Sequence, residues 1–134
     1  MFIDRLGLER IDIWKDLVVQ SANWRSLIGQ GMGKFASLGV IDKTGTYWDN
    51  PHNEYLQVYF ELGLIGLLLL LGYFIDLFRR FLRFKTPQTI LLFSCITVLL
   101  INSLGMFPMQ VAPTAFLAIT YIGLLEVCLN RKNK

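Results

Sequence analysis

Residues 50–78 read NPHNEYLQVYFELGLIGLLLLLGYFIDLF, and this stretch sets the class of the molecule. Asn50 and Pro51 form a helix-start signal, a capping side chain followed by a residue whose fixed φ suits the first helical position. Beyond them no breaker is expected until the basic cluster after residue 78. His52 to Glu61 is polar on one side, whereas Leu62 to Phe78 is nearly continuous apolar sequence. The apolar part rises roughly 25 Å at about 1.5 Å per residue, short of a ~30 Å hydrocarbon core. Val58, Tyr59 and Phe60 make up the difference, which sets Glu61 at or just inside the membrane boundary.

Towards the C-terminus, residues 89–107 and 111–129 are two further apolar stretches, separated by a turn around Pro108 and Pro113. Each has about the ~20 residues that a spanning helix needs. Arg79, Arg80, Arg83 and Lys85 follow the first stretch, and Arg131, Lys132 and Lys134 follow the third. An odd number of spans puts both clusters on one side, which the positive-inside rule makes cytoplasmic. The expected fold is an all-α membrane protein: an amphipathic helix and extracytoplasmic loop (residues 1–50), then three transmembrane helices in 51–134, at about 56–78, 89–107 and 111–129. Residues 1–50 and the 104–113 turn would face the periplasm, and the C-terminus the cytoplasm.

Charge follows the same division. Residues 1–61 carry six Lys/Arg against eight Asp/Glu, and residues 62–134 carry seven against two. The basic surplus lies at the ends of apolar runs and not on an aromatic-interleaved polar surface, so nucleic acid is not the expected partner. Cys95 and Cys128 lie inside apolar runs, where they read as small hydrophobes and form neither a zinc spacing nor a disulfide framework. The N-terminus has no basic start followed by an apolar core, so no signal peptide is visible. Either the chain is a piece of something longer, or another element delivers it.

Upstream of the decisive stretch, Ile13, Trp14, Leu17 and Val18 recur at helical spacing between Arg10 and Trp24, an amphipathic pattern. Gly29, Gly31 and Gly33 then break it, and residues 36–50 read as a polar loop containing Gly39, Gly45 and Asp49. The glycines are no dinucleotide fingerprint, since neither the spacing nor a βαβ context fits. They could instead bring backbone N–H groups to an anion, or form a plain flexible turn.

His52 is the only histidine, so a histidine-based metal cluster is not expected. Placed in the first turn of a helix, it would be held neutral by the dipole and suit a general base. The alternative is an interfacial histidine that only bonds a loop carbonyl. Asn53, Gln57 and Glu61 fall at i, i+4 and i+8, one polar stripe entering the membrane; His52, Tyr55 and Tyr59 form its neighbour. Such groups face protein or a water-filled cavity, or are ordinary interface residues. Asp76 has Arg79 and Arg80 at i+3 and i+4 and is expected to pair with them at the membrane edge; Glu126 is expected to reach the interface near Arg131. Gly63, Gly66 and Gly72 would permit close helix packing.

The order of these features is more specific than any one of them. Arg10-Ile-Asp-Ile-Trp14, Gly29-Gln-Gly31-Met-Gly33-Lys-Phe35, Pro51-His52-Asn53-Glu-Tyr-Leu56-Gln57 and Glu61-Leu-Gly63-Leu-Ile-Gly66-Leu67 together resemble the O-antigen ligase and O-antigen polymerase superfamily. The resemblance implies a bacterial inner-membrane enzyme of polysaccharide or lipopolysaccharide biosynthesis. It would transfer a glycan from undecaprenyl diphosphate to an acceptor sugar, lipid A core or protein serine, without cofactor or essential metal. His52 matches the catalytic histidine, and Arg10 an arginine that would hold the diphosphate. Asn53, Gln57 and Glu61 would line the substrate site. Arg5 and Arg25 match no family position. Members have around ten or more spans, so the chain looks like the C-terminal part, completed by N-terminal helices or another membrane subunit. The rival reading is a non-catalytic membrane fragment or packing partner; a small transporter component fits less well.

Overall fold

The computed structural model describes residues 2–38, 40–41, 45, 47–48 and 50–131. Gly39, Asp49, Lys132 and Lys134 lie outside the described residues. The chain is mostly helical. Its elements are α1 (Phe2–Ser21), a 3₁₀ turn (Trp24–Ser26), α2 (Lys34–Leu38), β1 (Val40–Ile41), β2 (Tyr47–Trp48), α3 (Glu54–Arg83), α4 (Pro87–Asn102) and α5 (Ala112–Asn130). The chain packs as two compact units, Met1–Leu69 and Leu70–Lys134, with the boundary inside α3.

In the first unit, α1 begins well before the Arg10 start expected from its periodicity. Ile13 and Leu17, one turn apart, are buried against Phe35 and Phe60, while Asp12 and Lys15 stay exposed and pair at 3.7 Å. The rings of Phe35 and Phe60 meet edge to face, with centroids 5.1 Å apart. Residues 36–50 are not wholly loop: β1 and β2 pair antiparallel, Val40 opposite Trp48 and Ile41 opposite Tyr47. Trp48 packs against the same core.

Two expectations about α3 are corrected. The helix starts at Glu54, not at Asn50-Pro51. Asn53 is its cap: the side-chain oxygen accepts the Leu56 N–H (3.1 Å), and the main-chain oxygen accepts that of Gln57 (3.1 Å). Nor does α3 run unbroken to residue 78. At Gly63 (φ 70°, ψ −172°) the backbone takes a conformation open essentially to glycine alone, and the helix is interrupted.

The second unit is regular. Thr86 caps α4 in a reciprocal capping box with Thr89, and Pro87 occupies the first turn. These residues start α4 earlier than its hydropathy suggests, and it ends at Asn102 in place of residue 107. The hydroxyl of Ser103, just beyond, turns back onto the Leu99 carbonyl. Leu77, Ile96, Leu125 and Leu129 form the core, and Phe81 stacks on Phe93 at 4.2 Å between α3 and α4. Cys95 and Cys128 are free thiols on α4 and α5.

Arg80 bonds Asp76 (2.8 Å), as its spacing predicts. Its main partner, however, is Glu126 on α5, gripped by both terminal nitrogens at 2.6 and 2.5 Å. Tyr73 and Asn130 also donate to that carboxylate. The expected approach of Glu126 to Arg131 gives way to this interhelical pair, because a planar guanidinium fits a carboxylate with two parallel bonds.

By length and composition α3 and α5 are able to cross a membrane, whereas α4 is a shorter apolar helix of 16 residues.

Candidate active site

The first unit gathers the polar residues of the sequence motifs around the head of α3. His52 lies two residues before the helix, not in its first turn. Its φ of 49° is left-handed, the one such value at a non-glycine among the described residues. Histidine visits this region more readily than most residues, at a cost of about 1–3 kcal/mol that surrounding contacts must offset. Those contacts are visible. The His52 N–H donates to the Asn50 side chain (2.8 Å), closing an Asx turn. Pro51 is buried, and its carbonyl accepts the Trp14 indole N–H at 2.7 Å. The Trp48 ring meets the imidazole edge on at 6.1 Å. The backbone at His52 is therefore held from α1 and from its own turn and the ring from the β-ribbon, with the residue half-buried just ahead of a helix N-terminus.

The Trp14–Pro51 bond also brings α1 to the histidine. Arg10 is half-buried four residues before Trp14, about 6 Å along the same face. Arg10 on α1 and His52 in the loop are thus carried by two elements joined through the Trp14–Pro51 bond. Taken alone, Arg10 and Trp14 are uninformative in the sequence, because the partner of Trp14 lies 37 residues away.

Asn53 is buried and acts as the helix cap. Gln57 and Glu61 share a face as expected, and the Gln57 amide donates to Glu61 Oε1 at 3.3 Å. The same oxygen accepts the Phe35 backbone N–H, also at 3.3 Å. Glu61 thus faces the glycine segment of its own chain.

That segment has a definite structural role. Interruption of α3 at Gly63 leaves carbonyls without helical partners. The N–H groups of Gln30 and Gly31 take the carbonyls of Phe60 and Glu61, each at 2.9 Å, and the Ile65 N–H is taken by the Leu27 carbonyl at 3.2 Å. Gly29 donates to Arg25. The donors at 29, 30 and 31 are all engaged within the chain, so those three are not left to hold a phosphate. The approach is as close as main chains allow. A Cβ on Gly29 would fall 2.6 Å from the Gly63 nitrogen, and one on Gly63 would fall 2.6 Å from the Gly29 nitrogen. Close packing was expected of Gly63, but its partner is this loop and not another helix. A Cβ on Gly72 would meet nothing within 4 Å.

No curated protein and no solved structure matches the chain. The sequence profile of the O-antigen ligase family does match, over residues 4–71, which takes in Arg10, the glycine segment, His52 and the Gly63 break. With half its length covered by that match, the chain belongs to the O-antigen ligase family.

Proposed function

We propose that the chain carries the catalytic region of a bacterial inner-membrane ligase or polymerase that moves a glycan from undecaprenyl diphosphate to an acceptor. Family membership implies lipid-linked glycan substrates in a membrane setting. Within it, the reaction runs as an in-line displacement. The acceptor hydroxyl attacks the anomeric carbon of the donor glycan and gives its proton to the His52 imidazole. The bond from that carbon to the diphosphate oxygen breaks, and undecaprenyl diphosphate leaves with the electron pair. Arg10 neutralises the leaving group through parallel N–H donors. Asn53, by capping α3, fixes the approach of His52; Gln57 and Glu61 support the glycine segment beside it.

The observation that carries this reading is the left-handed His52 strapped to α1 through Pro51 and Trp14. Strain at a non-glycine residue is retained where neighbours over-determine it, and such positions gather at active sites.

In the same reading α4 crosses the membrane as well. Its 16 residues span about 24 Å, and the apolar turn residues after it extend the apolar length. Two crossings after α3 return the chain to the side of Arg79, Arg80, Arg83 and Lys85, in keeping with the positive-inside rule. The head of α3 then faces the periplasm, where a lipid diphosphate is presented at headgroup level.

The test is His52→Ala in the intact protein as the cell makes it, at wild-type abundance in the membrane. Glycan transfer is expected to fall below detection, and Arg10→Lys is expected to lower it less severely. Full transfer by His52→Ala would instead favour the non-catalytic packing partner.

A further inference from the structure

The segment between Ala22 and Lys34 exposes apolar side chains that the first unit leaves uncovered. Trp24 is 69% exposed, Leu27 53%, Ile28 58% and Met32 81%. Residues 26–33 carry no charged group, while Arg25 and Lys34 flank them. In water such a loop is unfavourable, since each large apolar side chain left exposed forgoes transfer free energy that burial would give.

Its register against α3 fixes its depth. Gln30 and Gly31 bond Phe60 and Glu61, and Leu27 bonds Ile65. Ile65 lies four residues beyond Glu61, on the far side of the Gly63 break, so the loop brackets the interruption and reaches the apolar part of α3. The loop therefore lies alongside the stretch where α3 itself becomes apolar and outward-facing, at Leu62, Leu64, Ile65, Leu68 and Leu69. A loop of irregular backbone can enter hydrocarbon only if its own polar groups are satisfied within the protein. Here Ser26, Leu27, Gly29, Gln30 and Gly31, five of the eight N–H donors from Ser26 to Gly33, each donate to a carbonyl of the same unit, so the backbone that meets α3 is satisfied internally. The Arg25 guanidinium lies over the Trp24 ring at 5.2 Å and donates to the Gln30 side chain, the arrangement of a cation and an indole at a headgroup boundary.

We propose that residues 24–32 are a membrane-inserted loop, with Trp24 at the headgroup level and Leu27, Ile28 and Met32 in the acyl region of the leaflet that α3 enters. The sequence assigns the whole of residues 1–50 to the aqueous side; this segment is the exception. The occupant is bilayer lipid, because the loop's apolar side chains continue the lipid-facing belt of α3 at the same height. Insertion also gives the Gly29–Gly63 contact its use, since only glycines let an irregular strand lie close enough to a helix to share its hydrogen bonds inside a leaflet.

The experiment places a nitroxide at Met32→Cys, and separately at Ile28→Cys, in protein whose Cys95 and Cys128 are replaced by alanine. The whole chain is reconstituted into vesicles of phosphatidylethanolamine and phosphatidylglycerol, with Lys15→Cys on the exposed face of α1 as the aqueous reference. Collision with oxygen should exceed collision with a water-soluble nickel chelate at both loop sites, and the order should reverse at residue 15. Chelate-dominated collisions at 28 and 32 would overturn the proposal. Protection from both reagents would overturn it too, by showing a protein surface in place of lipid.

Discussion

The two halves of this molecule reach order by different means. The Met1–Leu69 unit depends on backbone conformations that few residues adopt: left-handed His52, the Gly63 break and glycines pressed against main chain. The Leu70–Lys134 unit uses regular helices, side-chain packing and one charged cluster around Glu126. Irregular backbone is costly wherever water is scarce, so its concentration in one half points to work done there. Regular helices are the low-cost answer in lipid, where every N–H must find its partner within the segment.

The contrast is tested most severely at glycines. Gly63→Ala adds a Cβ where main chain already lies and forces a left-handed φ on alanine. It is expected to cost more than about 3 kcal/mol, read as loss of the folded N-terminal unit in detergent-resistance or protease assays. Gly72→Ala, in the second unit, meets nothing and should be neutral or stabilising by up to about 1 kcal/mol. Equal damage at the two positions would remove the distinction between the halves.

A smaller effect is expected within the second unit. Arg80→Ala leaves Glu126, itself largely covered, without its bidentate partner. A loss of about 2 kcal/mol is expected in unfolding from mixed micelles, with partial recovery when Arg80→Glu is combined with Glu126→Arg. No coupling in that double-mutant cycle would reduce the cluster to a surface feature.

The smallest effect separates two roles for Glu61. If it braces the glycine segment as an acceptor for Phe35 and Gln57, Glu61→Gln should keep both bonds and near-normal stability and transfer, while Glu61→Ala loses about 1–2 kcal/mol. A Gln variant as inactive as Ala, yet stable, would mean that the negative charge itself serves the substrate.

Much of this was legible in the sequence. Apolar length announced α3 and α5, and the i+4 spacing foretold Asp76–Arg80. The order of four short motifs, from Arg10 to Leu67, was enough to point to the family. What escaped depends on distant partners. A lone glycine in an apolar helix costs only about 1 kcal/mol, so nothing local says that Gly63 breaks α3; the loop at 27–31 decides it. Asn50 and Asn53 are both competent caps, and Pro51 favours the first. Trp14 tips the choice by taking the Pro51 carbonyl, which leaves Asn53 to start the helix. Glu126 meets Arg80 across 46 residues, a pairing no helical periodicity encodes.

The claim beneath all of this is that the histidine turn opens to the periplasm. Tyr47→Cys, beside the Trp48 that packs on His52, can be placed in cysteine-free protein and exposed to a membrane-impermeant maleimide in cells with only the outer membrane permeabilised. Labelling should be complete with the inner membrane intact, while Arg83→Cys reacts only after lysis. A cysteine at 47 that stays unmodified until lysis would place the imidazole in the cytosol, out of reach of any lipid-diphosphate donor on the other side.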